Sequence, residues 1–177
     1  MTTNPEKSPV RRYFAGLAEN TFQAQLGIVD PPVVDYVSNL LIRFIRSDVV
    51  HRMRGITGKP LMSVPEMVNE ATERLGGAQR EIHQHIGDFT LFWAGVYPEA
   101  LQGGKEDSVQ YDQYRAHGKR SYRLASEIEA ANEDEPSASV LERLSDRFDL
   151  CCYGLREIRR QWENGDEGLG PGSILLN

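Results

Sequence analysis

Apolar side chains return along this chain every third or fourth position, and no four-residue stretch alternates convincingly as a strand. The pattern predicts a first helix over 10–26, with Phe14, Leu17, Ala18 and Phe22 inward and Gly27 as its stop. A second begins where Asp30 caps free amides and Pro31 takes the first position, which needs no amide hydrogen. Its stripe is Val33, Val37, Leu40, Leu41 and Phe44, continued by Asp48 near the helix end and in water. Gly55, Gly58 and Pro60 then mark a loop or small hairpin. Ser63 and Glu66 have the spacing of a capping box, in which each side chain satisfies the other's backbone amide. They open a short helix carrying Met67, Val68, Ala71 and Leu75, stopped at Gly76 and Gly77.

The next helix is predicted over 78–97, ending there because Pro98 disfavours helical geometry at Tyr97. Ile82, Ile86, Phe89, Trp93 and Val96 form its stripe, while Gly87, Ala94 and Gly95 lighten the far side. A helix apolar or small around so much of its circumference is buried on several sides, hence central. After a loop over 102–108, a fifth helix over 108–131 turns Tyr111, Tyr114, Gly118, Tyr122, Ala125 and Ile128 inward. A sixth starts at Ser139, read as a capping box with Glu142, and carries its stripe unbroken to Trp162. The expected fold is all-α: a single-domain bundle of about six helices over 10–163 around a central aromatic-rich helix. Residues 1–9 read as a mobile arm and 164–177 as a glycine-rich tail.

Composition narrows the function classes. The 177 residues are 40% hydrophobic and 26% charged with a net charge of −6, the profile of a soluble globular protein and not of a nucleic-acid binder. The densest basic patch, Arg43 to Lys59 with Arg46, Arg52 and Arg54, also holds Asp48 and reads as a solvated face. The longest near-apolar run, Phe89 to Tyr97, is nine residues, against the roughly twenty that span a bilayer. Cys151 and Cys152 are adjacent on a helix and cannot pair with each other in ordinary disulfide geometry. With no disulfide framework or zinc spacing, a reducing, cytoplasmic setting is expected.

Candidate chemistry gathers on the fourth helix. Glu81 precedes His85 by four and Asp88 follows it by three, so the three share the edge of the apolar stripe, while His83 points away. Two readings fit. The carboxylates and imidazole converge on iron, manganese or zinc, or share a proton on a histidine of raised pKa. Alternatively His85 is a boundary histidine held by one acid, the second acid lying in water. A ferritin-like dimetal centre needs Glu-x-x-His on two helices, and that spacing is absent. Three tyrosines on one inward face call for hydroxyl partners, so Tyr111, Tyr114 and Tyr122, with His117 alongside, either enclose a polar pocket at that edge or sit at a wet rim. Gly118 in mid-helix implies that something approaches closely there. No P-loop or nucleophile elbow is present. The reading that follows is a non-enzymatic binding or protein-interaction module, with a protein partner or self-association possible. The alternative is a metal- or cofactor-dependent helical enzyme built on Glu81, His85, Asp88 and the tyrosines.

Overall fold

The computed structural model describes residues 8–45, 63–102 and 109–165. These form α1 (Pro9–Glu19), α2 (Pro31–Ile45), α3 (Val64–Glu73), α4 (Gly76–Val96), α5 (Pro98–Gln102), α6 (Val109–Glu127), α7 (Ala138–Asp146) and α8 (Phe148–Asn164). Among the described residues there is no strand, and the fold is an all-α bundle. No helix of this set is long and apolar enough to cross a membrane. Asp48, Arg46, Arg52, Arg54, the loop around Gly55–Pro60, the loop over 103–108, residues 1–7 and the tail beyond Gly165 lie outside the described residues.

Local chemistry sets most helix ends. Ser63 Oγ accepts from the Glu66 amide and the Glu66 carboxylate accepts from the Ser63 amide, both at 3.3 Å, which fixes the start of α3. Asp30 faces the opening turn of α2, with its Oδ1 3.5 Å from the Val33 amide, and its Oδ2 lies 3.0 and 3.1 Å from Arg143 and Arg147. Gly27, at φ +66°, ends the first helical segment as expected. The first helix is not uniform, however: Asn20–Gln25 is wound as a π-helix, closed by the Leu26 amide on the Thr21 carbonyl at 3.0 Å. The wider turn brings both Thr21 and Phe22 to full burial.

Two expectations are corrected here. The sixth predicted helix is two, broken at Arg147 (φ −107°, ψ 21°). One non-helical residue leaves the recurrence Leu141, Leu144, Phe148 undisturbed, so the apolar period carries no trace of the break. The cap of α7 is Ser137, whose hydroxyl accepts from the Val140 amide at 3.2 Å, and not Ser139. Glu142, assigned to that box, instead takes Arg123 at 2.7 Å.

α4 lies at the centre, packed by α2, α3, α5, α6 and α8. Close approach rests on glycine notches that hold rings. A Cβ on Gly118 of α6 would sit 2.4 Å from the Phe148 ring and from Thr90 Oγ1, which is the close neighbour its mid-helix position implied. A Cβ on Gly87 of α4 would meet the Tyr122 ring at 2.5 Å, and one on Gly154 of α8 the Phe22 ring at 2.4 Å. The termini of the bundle interlock, Phe14 of α1 meeting Trp162 of α8 edge to face with centroids 5.2 Å apart.

Candidate functional site

Asp88 projects from the middle of α4 and is only 2% exposed. A buried carboxylate is costly unless it is hydrogen-bonded, and here both oxygens are. Tyr36 of α2 and Tyr122 of α6 both donate to Oδ1, at 2.6 and 2.7 Å, and Arg43 of α2 donates to Oδ2 at 3.0 Å. Gln84, one turn earlier on α4, donates to the Tyr36 hydroxyl at 3.1 Å. Burial, and then the neighbouring Asp88 charge, hold both phenols well above the ordinary tyrosine range, so they remain donors. Three helices are thus tied through one side chain.

Above this network lies a cleft of about 700 Å³. One wall is a single face of α4: Gly77, Glu81, Gln84, His85 and Asp88 line it, at helical spacing. The other side consists of Arg43 and of Ala131, Asp134, Glu135 and Pro136, from the connector between α6 and α7. That connector is held by Arg80, which is 1% exposed. Its Nε donates to the Ile128 carbonyl at 2.9 Å, Nη1 to Glu135 at 2.9 Å and Nη2 to the Pro136 carbonyl at 2.6 Å. A buried guanidinium with all three nitrogens engaged is a fixed strut.

The residues singled out from sequence separate accordingly. Glu81, His85 and Asp88 all line the cleft, but they do not gather as ligands. Among the described residues no three His, Cys, Asp or Glu side chains are placed to hold a metal ion. The reason is physical: both Asp88 oxygens already take donors, and Glu81 is exposed at the far end of the face. His85 stacks on Phe44 with centroids 6.2 Å apart, and its buried Nε2 has no hydrogen-bond partner among the described residues. Burial lowers its pKa, with Asp88 opposing and Arg43 assisting, so the raised pKa expected of a histidine between acids is reversed. Desolvation outweighs the attraction of Asp88, which Arg43 partly offsets.

His83, expected to point away, is buried, and burial together with Arg120 lowers its pKa as well. Of the three tyrosines singled out on α6, Tyr122 alone is hydrogen-bonded to Asp88. Tyr114 lies against Phe89, centroids 6.1 Å apart, and Tyr111 beneath Arg115, whose guanidinium carbon is 5.6 Å from the ring centroid. His117 is half-buried on α6 and does not line the cleft. Tyr122 is eight and eleven residues beyond Tyr114 and Tyr111 on α6, roughly 12 and 16 Å along the axis, so one stripe spans different neighbours. Tyr36 and Arg43 were missed. Both flank the stripe of the second helix, seven residues apart and so on one face, which is the signal that was available.

Cys151 and Cys152 are buried and unpaired. Desolvation pushes the Cys151 thiol up to about 12 and raises Cys152 further, so both are core hydrophobes at neutral pH. No protein family, curated protein or solved structure matches this chain.

Proposed function

We propose that this protein is a non-enzymatic binding module and that the cleft between α4, the end of α2 and the α6–α7 connector receives its guest. The observation that carries the reading is the engagement of Asp88: the one deeply buried acid at the cleft already accepts three donors, on both oxygens, from two neighbouring helices. With both oxygens engaged by donors of the fold, it serves to stiffen the floor rather than as a general base. A preformed polar cleft on rigid elements favours recognition. The buried thiols, held protonated, support a cytoplasmic setting within the same proposal.

The test is a ligand-observed NMR screen of the full chain against amino acids, amines, carboxylates and nucleosides. Saturable binding is expected, lost in Ala131→Trp, which fills the cleft from an exposed connector position, with the far-ultraviolet circular dichroism unchanged. Binding that survives Ala131→Trp, or chemical conversion of a bound compound abolished by Asp88→Asn, overturns the reading.

A further inference from the structure

The charges lining the cleft are distributed unevenly along its length. Arg43 stands at the Asp88 end, anchored by one nitrogen, and its side chain is 43% exposed. With Nη2 on Asp88, the remaining guanidinium edge carries no further bond among the described residues. Glu81 stands at the opposite end, and Asp134 belongs to the connector that meets the same end of α4, where Ala131 faces Gly77 and Glu135 takes Arg80. Neither forms an ion pair among the described residues, whereas the nearby Glu135 is taken by Arg80 at 2.9 Å. Glu81 and Asp88 are seven residues apart on one face of α4, so the two ends are about 10 Å apart. Between them Gln84 and His85 offer polar edges of a neutral stretch.

We infer that, if the cleft is a binding site as proposed above, its guest is a linear organic zwitterion that lies along α4. Its carboxylate pairs with the free edge of Arg43, and its terminal ammonium lies between Glu81 and Asp134. An anion alone would meet two uncompensated carboxylates at the far end. A cation alone would leave the Arg43 edge unused. A chain with opposite charges at its two ends satisfies both, and an ω-amino carboxylate of about six carbons has the necessary reach. Arg43 is suited to the anionic end because its planar fork is already oriented by Asp88.

The experiment is isothermal titration calorimetry of the full chain with 6-aminohexanoate, hexanoate and hexylamine at low ionic strength. The zwitterion is expected to bind about fivefold or more tighter than either single-charge analogue, the discrimination of one partly screened ion pair at each end. Glu81→Gln combined with Asp134→Asn, both at exposed positions, is expected to bring 6-aminohexanoate down to the affinity of hexanoate while leaving hexanoate no weaker. Arg43→Gln is expected to bring it down to the affinity of hexylamine. Hexanoate or hexylamine binding as tightly as the zwitterion overturns the inference, as does an unchanged affinity in the Glu81/Asp134 variant. That variant keeps the test decisive if Arg43→Gln fails to fold. If compounds of the wider screen bind and are lost in Ala131→Trp while 6-aminohexanoate shows no advantage, the inference falls and the binding reading stands. If nothing binds, both fall.

Discussion

Asp88 is expected to be among the costliest polar side chains to alter, through its hydrogen bonds rather than its volume. Asp88→Asn keeps the shape but removes the charge. The two tyrosine bonds at 2.6 and 2.7 Å then become neutral, with a loss of about 1 kcal/mol each. The Arg43 contact at 3.0 Å is lost, and because that side chain is 43% exposed its contribution is at most about 1 kcal/mol. The expected destabilisation is therefore about 3 kcal/mol, or roughly 10 °C in a chain of this size. Tyr122→Phe alone is expected to cost about 1.5 kcal/mol, and less than half of that once Asp88 is already Asn. A double-mutant cycle by guanidinium chloride denaturation at pH 7 measures the difference, with an expected coupling of about 1 kcal/mol. Additive losses, within roughly 0.3 kcal/mol, would refute the argument that this carboxylate organises its neighbours.

Gly118→Ala improves intrinsic helix propensity by about 1 kcal/mol, but its methyl group would lie 2.4 Å from Phe148 and Thr90. A net loss of about 1–2 kcal/mol is expected in urea unfolding, and a stabilised variant would show that the notch is slack. Arg80→Met deletes three hydrogen bonds from a side chain 1% exposed, with an expected cost of about 3 kcal/mol. Its signature is faster amide exchange confined first to 128–137, and uniform exchange would remove the connector's dependence on it. His83 and His85 both have folded pKa values below the ordinary 6.5, mainly through burial. Their stabilising effect is therefore complete above 6.5 and fades as pH falls from there through the folded values, because the unfolded chain takes up protons that the folded one resists. The slope is at most about 1.4 kcal/mol per pH unit for each histidine. Urea midpoints compared between pH 7 and pH 5.5 should fall less in His83→Gln/His85→Gln than in the parent, and an equal fall would contradict the assignment.

Periodicity located the long helical segments and the central place of α4, because burial on several sides leaves apolar or small residues around a helix, but it gave no sign of the five-residue α5. It was blind to the break at Arg147, where one residue changes direction without shifting the stripe. Ser137 and Ser139 are both plausible caps by composition, and only the chain path selects between them. At the site, spacing brought out the α4 face that lines the cleft. It misjudged the chemistry of that face, since the partners of Asp88 come from two other helices. Tyr111, Tyr114 and Tyr122 share a stripe, yet a stripe does not say which neighbour stands beside each turn. His83 looked solvent-facing on an isolated wheel, and a helix packed on several sides has few such positions.

The contact of Phe14 with Trp162, and of Phe22 with Gly154, has a bearing on biosynthesis. Translation delivers α1 well before α8, so the α8-facing side of those two oily rings stays uncovered until α8 has left the ribosome. A nascent chain halted before Gly154 is thereby left adhesive, and release of truncated products should favour clumping over accumulation of a native-like fragment.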